Sequence, residues 1–287
     1  MTASVATLWI GPRLTWIEVA CLTSFAQVGH RVVLYSYDPI ENAPDCVEQR
    51  DAREVMPECF MLEHWGGTAL PDPRVHADIF RILMMRETDH VWVDSDAFAL
   101  RRHTPVEGYL FAANPRVSGF VPNHVMRFPR NSPALAEMIA FVSARGTIPP
   151  WWTQEEADHY NAAFDEVSFA TLPVGVTGPR LLGHCLGRSG EMRHSMPFRA
   201  FSPLLAREKK TLRVSPAPIP LDFGEGVFSI HLYSTGQRRR LVNRGGIPPR
   251  GSLLHEICER TGVDPAAHPI DFKSPGMNRK GVLKGSD

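Results

Sequence analysis

Residues 6–37, ATLWIGPRLTWIEVACLTSFAQVGHRVVLYSY, read as strand, helix, strand. Ala6 to Ile10 is a short apolar run that stops at Gly11-Pro12, a turn signal. Thr15 and Glu18 stand at the spacing of a capping box, in which hydroxyl and carboxylate satisfy the exposed amides of a helix start. Ile17, Ala20, Cys21, Ser24, Phe25 and Val28 then recur at helical spacing, and Gly29 suits the left-handed residue past a helix end. Arg31 to Tyr37 is β-branched and aromatic, the composition of a strand. Two strands joined by one helix in so short a span form a βαβ unit, which predicts an α/β fold with a parallel sheet flanked by helices.

Outward from that unit, Pro73 to Met85 reads as a helix, with Asp72 as its cap and Val75, Ile79, Ile82 and Leu83 on the core side. His90 to Asp96 is the next strand, apolar and then abruptly acidic, and Tyr109 to Asn114 another. Pro133 to Ala144 is a helix that buries Leu135, Met138, Ile139 and Val142, Pro179 to Leu186 a short one, and Gly226 to Tyr233 a late strand. Residues 145–175 hold Pro149-Pro150-Trp151-Trp152 and no sustained period, so they read as an insertion or lid. One domain over 1–265 followed by a loosely ordered polar tail, 266–287, is the simplest organisation.

The chain has 287 residues, with 31 Lys and Arg against 31 Asp and Glu. Zero net charge removes the bulk electrostatic argument for nucleic acid or an anionic membrane. No apolar run reaches the roughly 18 residues of a transmembrane span, and the start lacks the basic and apolar regions of a signal peptide. The five cysteines are odd in number and none forms a CxxC pair, which argues against a disulfide framework or a cysteine zinc site. Cytoplasmic residence, free or peripheral at the inner membrane, is the expectation.

The sharpest chemical feature is Asp94-Ser95-Asp96, at the end of Val91-Trp92-Val93. Residues two apart on a strand share a face, so both carboxylates can aim at one spot beyond the strand's C-terminal end, where ligands bind open α/β sheets. Two converging carboxylates repel unless a cation joins them, and hard oxygen ligands select Mg²⁺ or Mn²⁺. Two solvated turn aspartates would give the same pattern. Asp78 and Arg81, three apart on the preceding helix, share a face and can grip hydroxyls or phosphate; a local ion pair is the plainer reading. Leu8, Trp9 and Gly11 end the first strand: an indole there can stack on a base, or simply fill the core. His231, at the end of the late strand, can complete a metal shell or be structural.

Taken in order, LWIG (8–11), SFAQVGHRVVLYSYD (24–38), ADIFR (77–81), VWVDSD (91–96), TGPRLL (177–182) and HLY (231–233) resemble the bacterial DXD-motif sugar-nucleotide glycosyltransferases. These are the capsular polysaccharide synthesis type, related to the glycosyltransferase domains of large clostridial toxins. The resemblance covers residues 6–240. It implies a GT-A fold with a central, mostly parallel sheet, a UDP-linked or other nucleotide-diphosphate sugar donor, a carbohydrate or other hydroxyl acceptor, Mn²⁺ or Mg²⁺ as cofactor, and retaining hexosyl transfer. It implies Trp9 against the base, Asp78 and Arg81 on the donor sugar, Asp94 and Asp96 at the metal, and His231 near the diphosphate and metal. Two positions depart from the family pattern: Tyr233 stands for a tryptophan, and Glu87-Thr88-Asp89-His90 for a Gly-Gly pair.

In such a reaction a cation and nearby positive groups, Arg81, His231 or the run Arg238-Arg239-Arg240, would stabilise the leaving diphosphate. Asn114, Asn123, Thr177 and Gly178 are candidates for donor or acceptor hydrogen bonds or for turn and cap roles, and Trp151 and Trp152 for an aromatic acceptor platform or core packing. The rivals are a haloacid-dehalogenase-type phosphohydrolase, whose apolar-strand DxD motif VWVDSD also resembles, and a non-catalytic carbohydrate-binding protein. The first normally carries its motif near the N-terminus, followed by a lysine and an acidic pair; here the motif starts at residue 94, the lysines are Lys209-Lys210, and Asp222 lacks an acidic neighbour.

Overall fold

The computed structural model describes residues 3–57, 73–114, 117, 119–144, 146–169, 171–272 and 274. A five-stranded sheet forms its centre. The opening unit folds as the sequence predicts: β1 (Val5–Leu8), α1 (Trp16–Gln27) and β2 (Val32–Ser36), with β1 and β2 parallel in the register Leu8 to Tyr35. The Thr15 amide donates to Glu18 Oε2 at 2.9 Å, the carboxylate half of the capping box, and the Thr15 hydroxyl donates to the same oxygen at 2.5 Å. Gly29 takes φ +89°, a conformation open to glycine at little cost.

β3 (Val47–Asp51) pairs parallel with β2 at the sheet's edge. It lies outside the predicted strands because its sequence, VEQRD, carries the polar residues of a half-solvated edge rather than an apolar run. α2 (Pro73–Glu87) returns the chain to β4 (Val91–Val93), parallel to β1. Asp72, expected as its cap, falls outside the described residues. β5 (Ala97–Ala99) follows, and β6 (Ala112–Ala113) is shorter than the predicted Tyr109 to Asn114, with Tyr109 and Leu110 held in isolated bridges. β7 (Val125–Met126) pairs antiparallel with β4, so the sheet order is β3-β2-β1-β4-β7 with four parallel strands and one reversed. This is a mixed α/β architecture with a mostly parallel central sheet.

Strand alternation sorts the side chains into two layers. Val5, Val32, Leu34, Val91 and Val93 face Val19, Leu22 and Phe25 of α1. Ala6, Leu8, Val33, Tyr35 and Trp92 face the other way, onto Ile79, Phe80 and Leu83 of α2 and onto α3 (Pro133–Ser143). The 145–175 stretch contains α4 (Gln154–Ala163), whose start is closed by Thr153 and Glu156. Thr153-Gln-Glu-Glu156 is a capping-box signature, but the helix behind it is too polar to show an apolar period. A turn at Val176–Arg180 leads into α5 (Leu181–Ser189), later than the predicted start at Pro179.

The late strand is confined to β9 (Ser229–His231), which pairs antiparallel with β5; β8 (Met196–Pro197) pairs with β6. α6 (Ser234–Leu241) and α7 (Leu253–Thr261), neither predicted, pack Leu241, Leu253, Leu254 and Ile257 against the outer side of α1, where Trp16, Ile17 and Ala20 lie. Cys21, Cys46, Cys185 and Cys258 are free thiols, and no described helix is long and apolar enough to cross a membrane. Residues 273 and 275–287 of the predicted tail lie outside the described residues.

Candidate functional site

The acidic pair sits at the C-terminal edge of the sheet. β4 stops at Val93, and the chain turns through Asp94, Ser95 and Asp96 before β5 begins. The turn is anchored by the Asp94 amide donating to the His124 carbonyl at 2.7 Å and by the Ala97 amide donating to the Asp94 carbonyl at 2.9 Å. β9 sets His231 opposite Ala97. One potential ligand atom from each of Asp94, Asp96 and His231 lies within 4.8 Å of the other two.

Asp94 is held through one oxygen. Its Oδ1 accepts from Trp92 Nε1 at 2.7 Å and faces Arg81 Nη1 at 3.0 Å. Arg81 is buried and fixed in turn: Nε donates to the Ala77 carbonyl at 3.0 Å, Nη1 to the Asn123 carbonyl at 2.7 Å, and its guanidinium lies 4.6 Å from the centre of the Trp92 ring. Arg81 Nη2 is 3.4 Å from Asp78 Oδ1, which also accepts from Asn123 Nδ2 at 2.7 Å; Asp78 Oδ2 accepts from Thr177 Oγ1 at 3.2 Å. Burial pushes the Asp78 carboxyl above its ordinary value, while Arg81 and the hydrogen bond from Asn123 pull it partly back. Gly178 closes this cluster: a Cβ there would stand 2.5 Å from Asp78 Oδ2 and 2.6 Å from Asn123 Nδ2.

Asp96 is held differently. Oδ2 accepts from the Ser234 amide at 2.8 Å and Oδ1 faces His231 Nε2 at 3.3 Å. Ser234 opens α6, and Tyr233 before it takes a left-handed φ of +55° that turns the helix start toward the carboxylate. Burial alone would raise the Asp96 carboxyl, but the adjacent His231 charge and the Ser234 amide outweigh it and hold the group well below the usual carboxylate range. Burial lowers His231, and Asp96 more than reverses that, so the imidazole titrates above its ordinary value. His124 stacks on His231 at 4.5 Å between ring centres and 9° between planes; burial and the His231 charge push it down to about 3, so it is neutral. The site thus joins fixed anions, a buried cation and an imidazole within one wall.

No protein-family model matches the sequence, and no curated protein matches it. Among solved structures the chain is similar to one titled PaToxG Glycosyltransferase, at 12% sequence identity and a TM-score of 0.44, over 67% of this chain and 70% of that one.

Of the residues singled out in the sequence, the structure brings Asp78, Arg81, Asp94, Asp96, His231, Asn123, Thr177 and Gly178 into one connected cluster. Ser95 lies between the two aspartates in the turn, half-buried. Leu8 and Trp9 are buried at the end of β1, and Gly11 follows in the turn at φ +137°. The Trp9 indole donates to the Arg13 carbonyl at 3.1 Å, and the Arg238 guanidinium lies 5.4 Å from its ring centre. Arg238 is also buried and paired with the fully buried Glu18, so it leaves the exposed run that Arg239 and Arg240 continue. Asn114 is half-buried just past β6. Trp151 packs on Phe141 and His184, and Trp152 on Tyr160, both half-buried against the core around α3 and α5.

Three partners have no place among the predicted site residues. Trp92 was legible, since it shares a strand face with Asp94 two residues on. His124 and the Ser234 amide were not. His124 belongs to no motif, and a backbone N–H carries no mark of residue type.

Proposed function

We propose that this protein is a divalent-metal-dependent retaining glycosyltransferase that moves a hexose from a nucleotide-diphosphate sugar, UDP-linked by preference, to a carbohydrate or other hydroxyl acceptor. The observation that carries the reading is the convergence of Asp94, Asp96 and His231 beside the buried Asp78–Arg81 pair, at the sheet edge where open α/β folds bind ligands.

Two carboxylates suit Mn²⁺ or Mg²⁺, and an imidazole beside them tips the set toward Mn²⁺, the softer of the two. Both bonds to Asp94 fall on Oδ1, which leaves Oδ2 for a cation, and Asp96 stays ionised far into acid. When bound, the ion would neutralise charge growing on the leaving diphosphate. Arg81, locked by two backbone carbonyls and two carboxylates, adds a preorganised positive charge that does not have to reorient during the reaction. Asp78, Asn123 and Thr177 form a hydrogen-bonding wall of the kind that reads sugar hydroxyls, with Gly178 leaving room for their close approach. Asn114 and the Trp151-Trp152 pair are proposed for the acceptor side. Trp9, whose ring faces Arg238, is assigned to the base end of the donor.

Thermal denaturation with UDP and Mn²⁺ tests the reading. A ligand that binds only the native state raises the melting temperature, so UDP plus Mn²⁺ is expected to stabilise the protein and EDTA to abolish the gain. Asp96→Ala is expected to lose the metal-dependent part and keep the fold. A panel of UDP-sugars, followed for slow donor hydrolysis, identifies the sugar. Absence of any shift with nucleoside diphosphates and either metal overturns the proposal. Phosphate release from simple phosphomonoesters would favour the phosphohydrolase.

A further inference from the structure

Although the whole chain is neutral, its cations are unevenly placed. The segments 206–213 and 234–250 hold nine Lys and Arg and one carboxylate, Glu208. The fold packs the two segments side by side. Arg213 Nε donates to Gln237 Oε1 at 2.7 Å, Gln237 Nε2 donates to the Lys209 carbonyl at 3.2 Å, and a Cβ on Gly236 would meet Lys209 Nζ at 3.3 Å. Arg239 and Arg240 lie three and four residues beyond Gly236, on the same side of α6. Lys209, Lys210, Arg239, Arg240, Arg244 and Arg250 are exposed, and none pairs with a carboxylate among the described residues. Burial and the charges of Arg240 and Arg244 lower Arg213 from its ordinary value, which places those three guanidinium groups in one field.

Apolar side chains protrude from the same face. Val214 follows Arg213 and is 43% exposed; Ile247 lies three residues after Arg244 and is 40% exposed. Their loops are stitched together, with Ser215 Oγ donating to the Arg250 carbonyl at 2.5 Å and the Ala217 amide to the Gly251 carbonyl at 2.9 Å. Unpaired cations interspersed with projecting aliphatic side chains suit a surface that is anionic outside and apolar just beneath. Neither polysaccharide nor nucleic acid rewards exposed Val and Ile in this way; both favour aromatic platforms, and segments 206–214 and 234–250 contain no Phe, Tyr or Trp.

We infer that the face formed by residues 206–214 and 239–250 docks the protein on an anionic lipid bilayer, Lys209, Lys210, Arg239, Arg240, Arg244 and Arg250 meeting headgroups and Val214 and Ile247 entering the interface. α6, which carries Arg239 and Arg240, also holds Asp96 through its first amide, so docking would bring the candidate site close to a membrane-borne acceptor. The surface stands whether or not the site transfers a sugar.

Co-sedimentation of the full chain with phosphatidylcholine vesicles, with and without about 30 mol % phosphatidylserine, tests it. Binding is expected to the anionic vesicles alone and to weaken as salt rises from about 0.05 to about 0.5 M. K210E/R240E/R244E, all exposed positions, is expected to lower the partition coefficient about 50-fold or more with an unchanged melting temperature. V214S/I247S is expected to weaken binding most at high salt, where headgroup attraction is screened. Failure to bind anionic vesicles at low salt, equal binding by the triple variant, or binding to RNA or an anionic polysaccharide without vesicle binding would each overturn the inference.

Discussion

Replacing Arg81 with methionine removes the cation on which two carboxylates and two backbone carbonyls converge. Asp78 is then left 6% exposed with only Asn123 and Thr177 to satisfy it. Breaking one side of a buried ion pair costs about 3–5 kcal/mol, chiefly from the stranded charge. The half-exposed Asp94 adds less than about 1 kcal/mol, and the lost contact with the Trp92 ring about 0.5–1 kcal/mol. The expected cost is therefore about 3.5–7 kcal/mol at pH 8, measured by urea unfolding followed by circular dichroism. Its pH dependence is diagnostic. Asp78 already titrates above its ordinary value, and without Arg81 it rises further. Between the unfolded and folded pKa values the unfolded chain has released a proton that the native state keeps, so R81M loses stability as pH rises, by up to about 1.4 kcal/mol per unit. The cost should shrink near pH 4.5, and D78N added to R81M should recover about half of it. A cost below about 1 kcal/mol, equal at both pH values and unrelieved by D78N, would refute the argument.

Three further outcomes are expected. G178A puts a methyl group inside contact distance of Asp78 and Asn123 and should cost about 1–3 kcal/mol while weakening UDP-sugar binding at least about tenfold by calorimetry; unchanged binding would exclude this cluster from the sugar site. W92F keeps a ring beneath Arg81 but removes the N–H on Asp94 together with part of a fully buried indole, so Mn²⁺ affinity should fall about 10-fold or more, beside a stability cost of about 1–3 kcal/mol from the cavity. Acid should destabilise the fold before its carboxylates titrate. Burial pushes His103 down to about 3 and His76 down to about 4, and His30, whose Nε2 accepts from the His103 amide, is lowered as well. As pH falls from about 6.5 to 5 the unfolded chain gains protons that these rings refuse, at up to about 1.4 kcal/mol per unit each; a flat urea midpoint over that window would contradict it.

Much of the fold could be read where one side chain pattern served one purpose. α1 and β2 were legible because their apolar spacing, cap and terminal glycine agree. β3 and α4 were hidden because an edge strand and a solvent-facing helix carry the polarity of loops. The site divides in the same way. Asp94 with Asp96, and Asp78 with Arg81, are short-range pairs whose shared faces follow from the periods of strand and helix.

The amino-acid sequence alone determined the βαβ core, the acidic turn beyond β4 and the two pairs of charged residues, because each depends on neighbours within four positions along the chain. Only the tertiary structure decided that Asn123, Thr177 and Gly178 gather on Asp78, that His231 faces Asp96 across 135 residues of chain with His124 stacked behind it, and that α6 spends its first amide on Asp96. Those contacts join distant segments through one sheet edge, and no local period encodes which segments arrive there.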